Sequence, residues 1–459
     1  MSLFLEGMEI NDNIAAIATG AGSAALAMVR ISGPEAANIS DAIFSGKVRP
    51  SAMESHVLHY GYIVDAGGVR LDEAMLAVLR PPHSFTAEQM VEITCHGGPA
   101  SARAVLEAAL AAGARPARPG EFSLRAFLNG RIDLAQAEAV CDIINAKTAA
   151  AARAALERLS GGLSRKIIAV RETLLEAAAL VESMIDFPEE DLPPAESGEW
   201  IGNIELAQQQ LKDLLAGSRA AMVLKDGARV VIAGKPNVGK SSLFNMLLKE
   251  EKAIVTETAG TTRDVLEGWI DIKGIPVRVF DTAGLRETPD TIEAHGVNRA
   301  RGKLEQADLV LLVLDGTSPL TAEDQGLLFQ TEKYHRLVLL NKSDLGHPSD
   351  SKPDRSWLRI SAVTEEGLAE LEGSIVSQLT GGQGIEAGAA SAANARQVQL
   401  MEESLKYLET AKNSLVQKVS YELLASDLKA AIDALGQITG QTVGDDILNR
   451  IFEKFCIGK

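Results

Sequence analysis

The sequence predicts a multidomain fold that combines α/β and α architecture. Three observations support this: short apolar runs alternate with turn residues in the first 125 residues, apolar residues then recur at helical spacing, and strand-like runs alternate with helices after residue 225. We therefore expect an N-terminal α/β domain over residues 1–125 and a helical bundle domain over 126–225 and 381–459. Between these two helical parts we expect an inserted domain over residues 226–380 with a mainly parallel sheet.

Bulk composition restricts the cellular context and the partners. The chain has 459 residues, 46% hydrophobic and 23% charged, and no apolar stretch approaches the ~18–20 residues of a membrane span. It lacks a secretory-type N-terminus, and three cysteines do not suit a disulfide framework, so we expect a cytoplasmic protein without membrane contact. A net charge of −17 disfavours bulk attraction to nucleic acid, so an RNA partner would need a local basic patch or a second protein.

The N-terminal domain is predicted from four apolar runs and one helical segment. Turn residues such as Gly67-Gly68 and Gly97-Gly98-Pro99 separate the runs. The predicted strands are Ile14–Ala18, Ala25–Ile31, Ala74–Leu79 and Val91–Thr94, and the predicted helix is Ala100–Ala112, ending at Gly113.

The helical domain is predicted to begin at Asp133, because Asp133 and Gln136 have the spacing of a helix cap and its return partner. A low-complexity linker follows the inserted domain, and helical spacing resumes from Asn394 to Phe455. We expect the helices on both sides of the insertion to pack as one bundle. The predicted helical stretches before the insertion are Leu134–Leu159, Leu163–Ile185 and Trp200–Leu224.

A phosphate-binding loop opens the inserted domain. The segment Gly234-Lys-Pro-Asn-Val-Gly239-Lys240-Ser241 follows an apolar strand and precedes a predicted helix, Ser242–Leu248. Its glycines let backbone N–H groups curl around phosphate oxygens, Lys240 reaches the outer phosphates, and the Ser241 hydroxyl is a Mg²⁺ ligand. The predicted strands of this domain are Arg229–Ala233, Val277–Phe280, Leu309–Leu314, Leu337–Leu340 and Leu358–Ile360.

Further loops predict a Ras-like G domain that binds GTP and not ATP. Thr261 and Thr262 offer a hydroxyl to Mg²⁺ and a backbone N–H to the γ-phosphate. Asp281-Thr-Ala-Gly284, Asn341-Lys-Ser-Asp344 and Ser361-Ala362 each follow a predicted strand. An aspartate such as Asp344 accepts from both N–H donors of guanine, which adenine does not present as a pair.

Hydrolysis is expected to proceed without the usual catalytic glutamine. Common signalling GTPases carry that residue directly after the Asp-Thr-Ala-Gly motif, whereas this chain has Leu285, which forms no hydrogen bond with water. The residues alone leave several replacements open. These are the carboxylates Glu287, Glu293 and Glu305 and the arginines Arg263 and Arg286.

With these motifs the chain resembles the MnmE (TrmE) family of tRNA-modification GTPases over essentially its whole length. Within the G domain the resemblance rests on the phosphate loop, Ala-Gly-Thr-Thr-Arg-Asp and Asp-Thr-Ala-Gly-Leu-Arg-Glu. Outside it the matching segments are more specific. They are Arg30-Ile-Ser-Gly33, Glu92-Ile-Thr-Cys-His-Gly-Gly98, Arg118-Pro-Gly-Glu-Phe, Arg131-Ile-Asp-Leu and the tail Phe455-Cys-Ile-Gly-Lys459.

The resemblance implies a potassium-dependent GTPase that is activated when two G domains meet. The cation would supply positive charge at the transition state, and Glu293 would position the attacking water. Implied metal ligands are Ser241 and Thr262 for Mg²⁺, and Asn237, Thr256, Thr258 and Thr261 for K⁺. The full set of expected GTP contacts is Asn237, Val238, Gly239, Lys240, Ser241, Ser242, Thr256, Glu257, Thr258, Ala259, Gly260, Thr261, Thr262, Asp281, Thr282, Ala283, Gly284, Asn341, Lys342, Ser343, Asp344, Ser361, Ala362 and Val363.

The resemblance also implies a folate that donates one carbon, either 5-formyl- or 5,10-methylene-tetrahydrofolate. The matched positions are Arg30, Glu92, Arg131 and Lys459. A carboxylate accepts a pair of pterin N–H bonds, and cations suit the glutamate tail of the folate. Cys456 has two open interpretations: a participant in the modification chemistry, or a half-buried helix-end residue. A prenylation box is rejected because the last residue is lysine.

The family interpretation is a homodimeric enzyme that modifies the wobble uridine U34 of tRNA with an FAD-containing partner of the MnmG (GidA) family, which would also use NADH. The alternative is a ribosome-assembly GTPase of the Era or EngA type, which would need a basic RNA-binding module. A membrane-remodelling GTPase of the dynamin class would need a membrane element that the sequence lacks. For tRNA, the arginines Arg115, Arg118, Arg125 and Arg131 form either a local basic surface or a scattered solvated face.

Overall fold

A computed structural model describes residues 11–186, 194–249, 267–281, 304–346, 356–382, 393–416 and 420–459, without the side chains of 194–199, 219–221, 267, 281 and 415–416. Its contacts divide the chain into two compact units. We call Met1–Cys141 with Gly436–Lys459 the terminal unit and Asp142–Leu435 the central unit. The finer domain boundaries at 125, 225 and 380 stay predictions.

Each unit contains one β-sheet. The terminal unit has β1 (Ile14–Ile17), β2 (Leu26–Ser32), β3 (Phe44–Gly46), β4 (Leu58–Val64), β5 (Arg70–Leu79), β6 (Met90–His96) and β7 (Arg115–Pro116). The central unit has β8 (Ala228–Ala233), β9 (Glu267–Ile272), β10 (Ile275–Asp281), β11 (Leu309–Asp315), β12 (Arg336–Asn341) and β13 (Leu358–Arg359).

The helices flank both sheets and account for the long stretches between them. They are α1 (Ala36–Ile43), α2 (Pro99–Ala111), α3 (Glu121–Leu128), α4 (Leu134–Asn145), α5 (Ala149–Leu159), α6 (Gly162–Asp186), α7 (Pro194–Asp226), α8 (Lys240–Leu247), α9 (Ala322–Thr331), α10 (Leu368–Thr380), α11 (Ala395–Val416), α12 (Tyr421–Thr439) and α13 (Asp445–Phe452). No described helix is both long and apolar enough to cross a membrane.

The N-terminal sheet has the order β3-β4-β5-β6-β2-β1-β7, and only the β1–β7 pair is parallel among its described neighbours. The four predicted strands are confirmed, with bounds that shift by a few residues. Strand β4 lies outside the predicted runs, because the polar rings of His59, Tyr60 and Tyr62 interrupt its apolar residues. The register pairs Arg30 of β2 directly with Glu92 of β6.

The predicted helix start at Asp133 is confirmed. Its backbone N–H donates to Gln136 Oε1 at 2.9 Å, and the backbone N–H of Gln136 donates to Asp133 Oδ1 at 2.8 Å. The predicted single stretch Leu134–Leu159 is instead two helices, because Thr148 caps a new helix by accepting from the backbone N–H of Ala151 at 3.1 Å.

The expected packing of helices from both sides of the insertion is confirmed within the central unit. Helix α7 packs along α6 and along α11. Lys412 of α11 forms an ion pair with Glu205 of α7 at 2.6 Å. Residues more than 150 positions apart in the sequence therefore share one helical layer.

The sheet of the central unit has the order β13-β12-β11-β8-β10-β9. All neighbours are parallel except β9 and β10, which form an antiparallel hairpin. Strand β11 lies in the middle of the sheet, and its residues from Leu309 to Leu314 are fully buried. The mainly parallel sheet is thus confirmed, and it aligns the carboxyl ends of β8, β10, β11 and β12 at one edge.

Candidate functional site

The phosphate loop, Gly234–Ser241, connects β8 to α8 at that edge. Two of its glycines have backbone geometry and surroundings that exclude a side chain. Gly234 has φ +148°, and an added Cβ would overlap the carbonyl oxygen of Val313. Gly239 has φ +97°, and an added Cβ would overlap the side-chain amide of Asn341. The loop is therefore held tightly, and it leads directly into the N-terminus of α8, where backbone N–H groups are available to an anion.

Two lysines secure the loop. Lys235 Nζ donates to Asp324 Oδ2 at 2.6 Å and to Thr321 Oγ1 at 2.7 Å, which ties the loop to the capped start of α9. Burial opposes ionisation of Asp324, but the hydrogen bonds from Lys235 and Thr321 outweigh it and hold the pKa of that carboxyl below its usual range. Lys240 is buried, and its Nζ donates to the carbonyl oxygen of Lys235 at 2.6 Å.

Asn341 joins three loops that the sequence separates widely. Its Nδ2 donates to the carbonyl oxygen of Val238 at 2.8 Å, and its Oδ1 accepts from the backbone N–H of Ala362 at 3.0 Å. Asn341 is 2% exposed. The predicted phosphate-binding and guanine-reading segments therefore lie side by side at the carboxyl edge of the sheet.

Asp344, the predicted guanine-reading aspartate, is oriented by a neighbouring hydroxyl. Ser361 Oγ donates to Asp344 Oδ1 at 2.6 Å, which holds the carboxylate at the rim of the site. Lys342 has φ +68°, and its Nζ forms an ion pair with Asp315 Oδ2 at 2.7 Å. Val363, in the same loop as Ser361, is 79% exposed and thus accessible to a ligand.

Part of the predicted nucleotide site lies outside the described residues. The backbone of Asp281 ends β10 in parallel register with Ile232 of β8, which places it at the same edge as the phosphate loop. Residues 250–266 and 282–303 are not described. The predicted residues in those segments are Thr256, Glu257, Thr258, Ala259, Gly260, Thr261, Thr262, Thr282, Ala283, Gly284 and Glu293, together with Leu285 and the alternatives Arg263, Arg286 and Glu287.

A second group of predicted residues meets in the terminal unit; we call Arg30, Glu92, Arg131 and Lys459 the tail pocket. Arg30 Nε donates to Glu92 Oε1 at 2.8 Å across the β2–β6 pair. The guanidinium carbons of Arg30 and Arg131 lie 5.6 and 5.2 Å from the centroid of the Phe85 ring. Arg131 also donates to the carbonyl oxygen of Phe85 at 2.8 Å.

The tail, Phe455–Lys459, brings the last of these residues to the others. Gly458 has φ +89°, and an added Cβ would lie 2.6 Å from the carbonyl oxygen of Ile17, so the tail lies directly against β1. Burial and the charge of Arg30 lower the pKa of Lys459, while the Glu92 and Cys456 side chains act in the opposite direction. The side chain of Lys459 is therefore within electrostatic reach of Arg30 and Glu92.

One nitrogen among the four side chains of the tail pocket lacks a partner in the described part of the chain. Arg30 Nη1 is buried and has no hydrogen-bond partner among the described residues. A buried donor of this kind is costly unless a ligand or water accepts from it. The carboxylate of Glu92 thus lies among the cationic side chains of Arg30, Arg131 and Lys459.

The hypothesis of a basic surface for tRNA is wrong for two of its arginines. Arg125 is 1% exposed and forms ion pairs with Asp12, Glu88 and Glu121, and Arg115 pairs with Asp12 and Glu121. Opposite charges neutralise one another in this cluster, so it presents no net positive face. No local sequence pattern predicts it, because its members are up to 113 positions apart.

Two family models match the chain. One, described as GTP-binding protein TrmE N-terminus, covers residues 13–131, and the other, described as MnmE helical domain, covers residues 134–456. The chain belongs to the MnmE family of tRNA modification GTPases. These matches confirm the resemblance inferred from the motifs. They also confirm the multidomain α/β and α fold class and the assignment to the GTPases.

Curated relatives extend the match over the full length of the MnmE family's proteins. Each of the following is named tRNA modification GTPase MnmE. The protein of Chloroflexus aurantiacus is 45% identical over 456 residues, covering 98% of this chain and 100% of the relative. That of Heliobacterium modesticaldum is 46% identical over 465 residues, with the same two coverages. That of Geobacter sulfurreducens is 44% identical over 458 residues, again with the same coverages.

These matches include both flanks of the G domain. The flanks are the segments on which the tRNA-modification interpretation and the Era or EngA interpretation differ, because GTP loops are shared between those classes. Membership of the MnmE family therefore favours tRNA modification over ribosome assembly.

Proposed function

We propose that this chain hydrolyses GTP to drive the modification of U34 in tRNA. The modification would add a (carboxymethyl)aminomethyl-type group at C5 with a one-carbon unit from 5-formyl- or 5,10-methylene-tetrahydrofolate. A flavoprotein of the MnmG (GidA) family, carrying FAD and using NADH, would act with it. The observation that carries the proposal is the meeting of Arg30, Glu92, Arg131 and Lys459 in one pocket of a chain that also has a complete phosphate loop.

In the hydrolysis step, water attacks the γ-phosphorus of GTP and the bond from that phosphorus to the β–γ bridging oxygen breaks. Lys240 and the backbone N–H groups at the start of α8 bind the outer phosphates. Ser241 and Thr262 would hold Mg²⁺, which offsets the negative charge of the phosphates. Asp344 accepts from the guanine N–H donors, and its hydrogen bond from Ser361 orients it for that contact.

Potassium would complete the site, with Asn237 as the described ligand candidate. Asn237 has φ +63° and lies exposed on the phosphate loop, where an amide oxygen can reach a cation beside the phosphates. Thr256, Thr258 and Thr261 are the proposed further ligands. Glu293 is proposed to position the attacking water, because Leu285 has no group for that purpose.

The experiment for this step is the GTP turnover rate in K⁺ and in Na⁺ at equal ionic strength, with and without a folate. We expect a higher rate in K⁺, and we expect Glu293→Ala to lower turnover by about two orders of magnitude or more while GTP affinity is kept. Equal rates in both salts would exclude the potassium role, and near-normal turnover of Glu293→Ala would exclude the role of that carboxylate.

The folate would lie in the tail pocket with its pterin ring at Glu92. That carboxylate accepts a pair of N–H bonds, and the cationic side chains of Arg30, Arg131 and Lys459 attract the carboxylates of the folate. The exposed thiol of Cys456 is within the electrostatic reach of Lys459. This exposure disagrees with the half-buried helix-end interpretation of Cys456. The chemical role stays a proposal, and a Cys456→Ser variant that retains full modification activity would reject it.

The chain is also proposed to work as a homodimer through its N-terminal domains. Three apolar or aromatic side chains on the β4–β5 hairpin are largely exposed: Leu58 by 62%, Tyr60 by 55% and Val69 by 61%. Because the arginine cluster near Glu121 is neutralised, the MnmG-family partner is proposed to supply most of the tRNA contact.

A further inference from the structure

Gly120 lies where the tail begins to turn toward its pocket. It precedes the first residue of α3 and has φ +68°, in the left-handed region that favours glycine. An added Cβ would overlap the carbonyl oxygen of Phe452 and lie 3.0 Å from Cβ of Phe455. The backbone N–H of Gly120 also donates to the carbonyl oxygen of Cys456 at 3.4 Å. A glycine is therefore needed here for two reasons: its φ is positive, and the segment that contains Phe452 and Phe455 leaves no room for a side chain.

The segment that contacts Gly120 is firmly anchored on α3. Phe452 is fully buried and Phe455 is 6% exposed. The Phe452 ring centroid lies 6.3 Å from that of Phe127 in α3 and 5.3 Å from that of Phe455. Lys459 follows Phe455 by four residues, and Gly458 between them lies against Ile17, so we expect a shift at Phe455 to disturb this contact.

The residue on the other side of Gly120 is held by several polar contacts. The next residue, Glu121, is fully buried and accepts from Arg115 Nη1 at 2.9 Å and from the backbone N–H of Arg118 at 2.8 Å. Arg125 pairs with the same carboxylate at 3.2 Å. The buried ion cluster that the sequence did not predict thus holds the start of α3 rigidly against the tail.

We propose that Gly120 is a positioning residue for the tail pocket: it allows the tail to approach α3 closely enough for Lys459 to reach Arg30 and Glu92. The identity of the ligand in this proposal rests on the proposed folate function. The role of Gly120 in placing the tail does not depend on that function. Arg115, Glu121 and Arg125 support Gly120 by fixing the turn that carries it. A methyl group at position 120 would displace the tail and leave Arg30 and Glu92 in place.

The chain contains a matched control for this substitution. Gly130, just beyond the other end of α3, has φ +70°, but an added Cβ there would meet nothing within 4 Å. Both Gly120→Ala and Gly130→Ala place an alanine at a positive φ, and only the first introduces a collision with the tail. Slower exchange of the tail in Gly130→Ala than in Gly120→Ala would therefore be assigned to the collision.

The first measurement is hydrogen exchange of the backbone amides of residues 453–459 in the full chain without ligand. We expect faster exchange in Gly120→Ala than in the wild type, with Gly130→Ala close to the wild type. Equal exchange in the two variants overturns the proposal whatever the folate result is. If Gly120→Ala does not fold, Phe455→Ala removes the anchor without backbone strain and is expected to accelerate exchange in the same residues; no acceleration overturns the proposal.

The second measurement is calorimetric titration with 5-formyltetrahydrofolate. We expect Gly120→Ala to weaken binding by about tenfold or more with unchanged stoichiometry, and Gly130→Ala to bind as the wild type does. A merely structural role would instead reduce the fraction of binding-competent chains and leave the Kd unaltered, which would overturn the proposal. Absence of folate binding by the wild type would reject the proposed folate function and leave the exchange experiment to decide the role of Gly120.

Discussion

The nucleotide loops and the tail pocket are built in different ways. Each described nucleotide loop is a short contiguous segment that follows one strand of the central sheet, and the parallel arrangement of those strands brings the segments to one edge. The tail pocket takes Arg30 and Glu92 from neighbouring strands, Arg131 from the turn after α3, and Lys459 from the end of the chain. The first site thus depends on local motifs within one sheet, and the second depends on the docking of a distant segment.

This difference has a consequence for variants. A substitution in a nucleotide loop removes a ligand contact directly, whereas the tail pocket can also be damaged by residues that never touch the ligand. The two sites lie in different compact units, so each provides a folding control for the other.

The largest expected effect is that of Lys240→Ala on GTP binding. The ammonium group would lose its hydrogen bonds with the charged phosphates, so we expect GTP affinity to fall by roughly 100-fold or more. Folate affinity should be unchanged, because the tail pocket lies in the terminal unit. Lys249→Ala is the control, since Lys249 is an exposed lysine that pairs with Glu365 on the surface. A nucleotide titration that finds Lys240→Ala as tight as the wild type would reject the phosphate role.

Glu92→Gln is expected to have the next largest effect, on folate affinity. It would remove a carboxylate that pairs with Arg30 and leave that half-buried guanidinium without its counter-charge. We expect affinity for 5-formyltetrahydrofolate to fall by roughly 10- to 100-fold, with GTP affinity retained. Glu73→Gln removes an exposed carboxylate from the neighbouring strand β5 and should bind normally. Equal losses in both variants would show that general charge, and not the pocket, attracts the folate.

The smallest expected effect is a pH dependence of the tail pocket. Burial and Arg30 lower the pKa of Lys459 below its usual 10.5, so the folded state favours the neutral amine more than the unfolded state does. The cost of burying the charge is present in full below the lowered pKa and disappears as pH rises toward 10.5, so the unfolding free energy should rise across that interval. Over the same interval folate affinity should fall, because the amine loses the charge that attracts carboxylates.

Lys459→Arg tests this pH dependence, since its guanidinium stays charged throughout the interval. We expect the folate affinity of this variant to vary less with pH than that of the wild type as pH rises toward 10.5. Parallel pH profiles of the two proteins would assign the effect to another group. GTP affinity, measured at the same pH values, is the control, because the GTP site lies in the central unit and does not contain Lys459.

Much of the fold could be predicted because its signals are local. The run Leu309–Leu314 is apolar throughout, as expected of a strand buried on both faces, and Asp133 and Gln136 are a complete cap within four residues. The prediction was wrong where a local pattern was ambiguous. Helical spacing continues from α4 into α5, and only the tertiary position of Thr148, whose hydroxyl donates to the Gly274 carbonyl at 2.7 Å, shows why the helix is interrupted there.

The candidate site was predictable to a similar extent. The spacing of Gly234, Gly239 and Lys240 predicts a phosphate loop, because the chemistry needs those residue types at fixed positions along the chain. The part played by Asn341 in joining three loops was not predictable in detail, because it depends on two hydrogen bonds to backbone groups far away in the sequence. The burial of Arg125 was not predictable either, since an arginine beside polar residues reads equally well as a surface charge.

The sequence by itself determined the predicted nucleotide chemistry and the likeness to the MnmE family, because contiguous motifs can be recognised without knowledge of packing. Only the tertiary structure decided which charges face a ligand and which neutralise one another. Arg30 and Arg125 are both arginines on secondary-structure elements of the terminal unit, yet Arg30 pairs with one carboxylate, that of Glu92, and Arg125 is enclosed by three. The physical reason is that electrostatic pairing depends on the distance between charges in space. For Lys459, we propose that the close approach of Gly120 to Phe452 sets its distance from Arg30 and Glu92.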